Sequence, residues 1–110
     1  MSAPNWLKPD GLDARGKIHW QTYATRLRKN GYLTDFNVEQ FRTVCRLLAL
    51  RDAVADDIGT RGPTIETKTG VIKPNPAVQI LLRVTEQLGP LLQQFGLDNP
   101  RGTRPLEYSL

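Results

Sequence analysis

The sequence predicts a mainly α-helical protein: an N-terminal αα-hairpin, a short β-hairpin, and a long C-terminal helix that Gly89-Pro90 kinks or splits. Three observations carry that prediction. Apolar residues recur at three- and four-residue intervals over residues 14–30, 37–58 and 75–96. Each stretch opens on a residue able to cap a helix and closes near a glycine. Between the last two, residues 59–74 (GTRGPTIETKTGVIKP) lose the helical period and place β-favouring residues either side of Lys68-Thr69-Gly70. At 110 residues the chain fits one domain with an adequate but thin core, so burial against further copies is expected.

Residues 1–12 hold two prolines, a glycine and no periodicity, and read as an extended arm that Trp6 and Leu7 can anchor. Asp13 is the expected N-cap of the first helix, because its carboxylate can accept bonds from free backbone N–H groups. That helix is expected over residues 14–30, with Gly31 in the left-handed C-cap position. Trp20, Tyr23, Ala24 and Leu27 share one buried face, and Arg15, Arg26 and Lys29 fall largely outside it. Arg26, Arg28 and Lys29 also suit the negative end of the helix dipole, a local role that competes with ligand binding.

For the second helix Asn37 can cap, Gln40 follows three residues later, and Phe36 and Phe41 are spaced as a hydrophobic staple; Thr34 is an alternative cap. The helix is expected to run to Ile58 and stop at Gly59. Its apolar residues occupy more than one stripe, which predicts burial on two sides, the second against another subunit. A short turn between the two helices invites a helix-turn-helix reading, but their length favours a plain αα-hairpin.

The strands are expected at 64–67 and 71–73. An isolated hairpin is marginal in water, so it should dock on something. Asn75 caps the third helix, with Pro76 in the favoured first position. Val78, Leu81, Leu82, Leu88, Leu91, Leu92 and Phe95 mark its apolar side, Thr85 fills a polar slot, and Gly96 closes it. The tail from Leu97 is expected to be irregular.

The formal net charge of +4 is unevenly distributed. Residues 1–34 carry six bases against two acids, and residues 35–110 carry nine of each, so the whole surplus lies in the first third. A concentrated surplus attracts polyanions; a solvated basic face is the simpler alternative. No apolar run approaches the roughly 18 residues that cross a bilayer, and the first residues lack the basic-then-apolar order of a signal peptide. The lone Cys45, inside an apolar run, is expected to be a core residue in a reducing compartment.

Catalytic material is sparse. The single histidine, His19, and Cys45 stand 26 positions apart and match no zinc spacing. No GxxxxGK[ST] phosphate loop is present, and the scattered glycines form no dinucleotide fingerprint. Asp56-Asp57 has only Asp52 as a helical acidic neighbour, too little for a metal site. No catalytic residue, cofactor or metal is expected.

The order of features resembles a phage terminase small-subunit family. The matching stretches are Pro4-Asn5-Trp6-Leu7, Trp20, Leu33-Thr34-Asp35-Phe36-Asn37 with Phe41 and Cys45, then Gly70-Val71-Ile72-Lys73-Pro74-Asn75-Pro76-Ala77. Phe95-Gly96-Leu97-Asp98-Asn99-Pro100-Arg101, with Arg104, completes the series. Each piece alone is weak, and the ordered set covers nearly the whole chain. Two departures stand out: Gly89-Pro90 interrupts the long helix, and the ending RGTRPLEYSL replaces a compact arginine motif. The resemblance implies a helical protomer of a ring-shaped homo-oligomer in the host cytoplasm. Such a ring recognises the packaging-initiation region of double-stranded viral DNA and presents it to a large ATPase–nuclease subunit, whose activities it regulates. A helical operator-binding dimer would share the basic first third but not the β-hairpin and long helix that follow. A structural adaptor without DNA contact is the other alternative.

On this reading Lys8, Arg15, Lys17, Arg26, Arg28 and Lys29 form the main DNA-facing surface by neutralising phosphates. Lys68 and Lys73 on the hairpin form a second basic cluster that could line a channel. Phe41, Leu48, Leu81, Leu88 and Leu92 are the expected subunit contacts, the alternative being that they pack inside one protomer. The tail around 101–110 is a candidate contact for the large subunit.

Overall fold

The fold was obtained as a computed structural model, which describes residues 4–97. Helix α1 spans Ala14–Lys29, α2 Val38–Arg61 and α3 Pro76–Gln94, with strands β1 at Thr64–Glu66 and β2 at Ile72–Pro74. The expected mainly helical architecture is observed, and the tail beyond residue 97 lies outside the described residues.

Asp13 starts α1 as anticipated, its carboxylate accepting from the Gly16 N–H at 2.8 Å. α1 then lies antiparallel along α2, since Arg15 meets Asp56 and His19 meets Asp52. A pairing in which one number rises as the other falls defines an αα-hairpin. α2 packs on its other side against α3, so the second apolar side of α2 is covered by the same chain. Burial of that second side therefore needs no neighbouring subunit. Three mutually tilted aromatic rings join α1, α2 and the C-cap of α3: Trp20 lies 4.9 Å from Phe41, and Phe41 lies 5.6 Å from Phe95. Leu7 and Leu12 of the arm close this core, with Trp6 packed against it.

The turn between α1 and α2 departs from the expected staple. Phe36 is 96% exposed, whereas Leu33 is buried and fills the space beneath the turn. Asn37 makes no capping bond to α2. Its Oδ1 accepts from the Thr34 N–H at 2.8 Å, and its Nδ2 donates to the Tyr32 carbonyl at 2.8 Å. The side chain is engaged in holding the turn.

α2 runs through Gly59 and stops only at Gly62, whose φ of 86° suits glycine. Arg61 grips Asp57 through Nε and Nη2 at 2.8 and 2.9 Å, which holds the last turn together. α3 likewise continues past Gly89-Pro90. Pro90 deprives the Glu86 carbonyl of its helical donor, but both residues face solvent and water can replace the bond.

The hairpin pairs Thr64 with Pro74, Ile65 with Lys73, and Glu66 with Ile72. Ile65 is half-buried, but β2 is exposed throughout, so the strands stand out from the helices. Their attachment is Asn75, whose backbone N–H donates to Pro63 O at 2.8 Å.

Candidate nucleic-acid interface

The eight basic residues selected from the sequence (Lys8, Arg15, Lys17, Arg26, Arg28, Lys29, Lys68 and Lys73) are all exposed. The helical period of α1 directs its bases away from the buried stripe of Gly16, Trp20, Ala24 and Leu27. They do not form one patch. Arg15 and Lys17 sit in the first turn, while Arg26, Arg28 and Lys29 sit in the last, which holds no acid. Lys68 and Lys73 lie on the hairpin beyond the far end of α2. With 24 residues in α2, the last turn of α1 and the hairpin are separated by roughly 36 Å.

Their electrostatic surroundings differ. Arg15 donates from Nη2 to Asp56 Oδ2 at 2.6 Å, so its charge is partly neutralised. Arg26 lies over the Tyr23 ring, 5.5 Å from its centroid. Lys8, Lys17, Arg28, Lys29, Lys68 and Lys73 make no ion pair among the described residues. Of the eight, these six and Arg26 are the cations available to an anionic partner.

The apolar residues selected as subunit contacts fall differently. Phe41, Leu48 and Leu88 are buried within the protomer, and Leu81 and Leu92 are half-buried. The first three pack between the helices of one chain, which is the alternative weighed for them. The large apolar side chains left at the surface include Phe36, Leu50, Ile72 and Leu82.

Of two polar centres, Arg42 was not singled out from the sequence and Asn75 was anticipated only as a helix cap. Arg42, only 9% exposed, donates from Nη1 to the carbonyls of Lys8 and Asp10 and from Nε to Glu39 at 3.0 Å. Its guanidinium also lies 5.0 Å from the Trp20 centroid. It fastens the N-terminal arm, and Lys8 with it, to α2. Its signal was a base inside the apolar run from Phe41 to Cys45. Asn75 is the second centre. It caps α3 by accepting from the Ala77 N–H at 3.0 Å, as expected, and its Nδ2 also donates to Gly62 O and Asp57 Oδ2. Hydrogen bonds from Arg61 first, and Asn75 second, hold the Asp57 carboxyl below the usual carboxylate range. One buried amide thus joins the end of α2, the hairpin and the start of α3.

No three side chains among His, Cys, Asp and Glu converge as a metal-ligand set among the described residues. Burial pushes the Cys45 thiol up to about 12, which suppresses the nucleophilic thiolate. His19 is engaged with Asp52 at 2.6 Å, and Cys45 is fully buried in the core.

A family model described as "Phage terminase, small subunit" matches residues 16–104. The chain belongs to that family. The match takes in α1 from Gly16 onward, α2, the hairpin and α3, and it places this small subunit in viral genome packaging. No curated protein and no solved structure matches it. No helix among the described residues is long and apolar enough to cross a membrane.

Proposed function

We propose that this chain is the DNA-recognising, non-catalytic subunit of its terminase, acting in the host cytoplasm. It assembles with copies of itself into a ring and binds double-stranded viral DNA at the packaging-initiation region. It then hands that DNA to the large subunit carrying the ATPase and nuclease and regulates both activities, the segment 101–110 being the candidate contact. The reading requires no cofactor or metal in this chain.

The observation that carries the reading is the cluster in the last turn of α1. Arg26, Arg28 and Lys29 are exposed, no acid shares that turn, and Arg28 and Lys29 make no ion pair among the described residues. Lys17, Lys8, Lys68 and Lys73 add to the same potential, and Arg15 contributes least because Asp56 holds it. Phosphate neutralisation by such side chains releases counterions, and binding then weakens steeply with salt. A ring multiplies modest contacts, so each protomer need hold DNA only weakly.

The test is DNA affinity as a function of salt for the native chain and for Arg26→Glu/Arg28→Glu/Lys29→Glu. The variant should lose affinity at least about tenfold, and its log–log salt slope should become shallower by up to roughly 3. An unchanged affinity and slope would remove this surface from the DNA contact.

A further inference from the structure

Phe36 is the most exposed large apolar side chain among the described residues, and its backbone is held in a hydrogen-bonded turn. Its backbone N–H donates to Thr34 Oγ1 at 3.2 Å, the Asn37 N–H donates to Thr34 O at 3.2 Å, and Asn37 Oδ1 receives the Thr34 N–H. Fixing the turn this way presents an aromatic side chain to solvent from a backbone that has little freedom left to lose on binding. The core does not use the ring, because Leu33 already fills the space beneath the turn.

An open apolar depression with a basic edge lies elsewhere on the same hairpin of helices. Ala14, Ala49, Leu50 and Ala53 line an open depression of about 480 Å³, and Leu50 is 42% exposed with nothing over it. Arg46 and Arg15 stand on its edge. Arg46 makes no ion pair among the described residues, whereas Arg15 is held by Asp56. The one acid there, Asp13, has its carboxylate engaged in capping α1.

Phe36 is flanked by the opposite charge. Asp35 precedes it and makes no ion pair among the described residues, and Glu39 follows within one turn, its exposed carboxylate partly neutralised by Arg42. Asp35, adjacent to the ring, suits a partner with a basic rim, although Arg28 and Lys29 at the end of α1 precede the same turn. The ring cannot enter the depression of its own chain, since Leu50 lies about 14 residues further along, roughly 21 Å down α2. The occupant has to come from another molecule.

We infer that Phe36 of one copy seats in the Ala14–Ala49–Leu50–Ala53 depression of the next, with Asp35 and Glu39 facing Arg46. The inference rests on the self-assembly proposed above and specifies its contact. Knob and hole are different surfaces of one chain, so the contact is heterologous. Repetition of such a contact closes into a ring when the rotation allows, and otherwise runs on as a filament.

Native mass measurement on four samples tests this: the native chain, Phe36→Asp, Leu50→Arg, and an equimolar mixture of the two variants. Both positions are exposed, and circular dichroism checks that each variant keeps its helices. The native chain should form a multi-subunit particle and each variant should be monomeric. The mixture should give a particle of two chains and nothing larger, because each pair joins one intact knob to one intact hole and leaves a disabled surface at each end. A monomeric native chain would mean that the self-assembly reading itself fails. Variants that retain the native particle size would overturn this contact while leaving self-assembly in place. Monomeric variants that do not pair on mixing would also overturn it. So would a Phe36→Asp chain that keeps its size but loses DNA affinity, which would assign the ring to DNA.

Discussion

Arg42 shows how one side chain can organise a surface it does not belong to. Its guanidinium reaches two carbonyls of the arm, a carboxylate on its own helix and the face of Trp20. The planar fork suits that combination, and a lysine ammonium cannot reproduce it. Arg42→Ala should therefore cost roughly 2–3 kcal/mol, since charge-assisted bonds are lost and arm carbonyls are left without partners. Arg42→Lys should recover little of that. Urea unfolding midpoints measure the loss, and faster chymotryptic cleavage after Trp6 or Leu7 would report release of the arm. An arm equally protected in both variants would show that Leu7 and Leu12 alone hold it. The same residue marks a limit of reading from sequence. The charge surplus and the exposure of the eight selected bases could be anticipated, because surface cations need no partner. The role of Arg42 depends on a carbonyl 34 positions away, and no local pattern encodes that distance.

At the scale of elements, local signals succeeded where the deciding contacts are local. Asp13 and Asn75 cap the helices they were expected to cap, and Trp20, Ala24 and Leu27 form the buried stripe of α1. The signals failed where a distant contact decides. Gly59 reads as a stop, yet α2 continues because Asp57 and Arg61 lock its last turn and Asn75, from the start of α3, takes the Gly62 carbonyl. Phe36 reads as half of a staple, but Leu33 reached the buried position first. The continuation of α2 can be tested directly. Gly59 has a helical backbone, and a Cβ built there meets nothing within 4 Å. Gly59→Ala should then stabilise the protein by about 1 kcal/mol through reduced backbone entropy of the unfolded chain. That corresponds to a rise in Tm of roughly 4 °C. A fall in Tm would mean that the helix needs glycine at 59 and ends there.

At the largest scale, the described residues form a body elongated along α2, which is flanked by α1 and α3, with the hairpin beyond one end. Basic residues sit at both ends of this long body, with Arg26, Arg28 and Lys29 at one and Lys68 and Lys73 at the other. The separation of roughly 36 Å along α2 is several Debye lengths at physiological salt, so the two groups do not feel each other through solution. Each should meet DNA independently or not at all. Independence has a measurable form, because distant sites contribute additively. If both ends touch DNA, Lys68→Ala/Lys73→Ala should make the salt slope shallower by up to about 2, and the α1 charge reversal should add its own change to that in a combined variant. If only the α1 end touches DNA, the hairpin variant should bind with the native slope, and the combined variant should match the α1 reversal alone. The additive result would mean that DNA runs past both ends of each protomer. The second would confine DNA to the α1 end and leave the exposed hairpin, with Ile72 at its surface, for contact with protein.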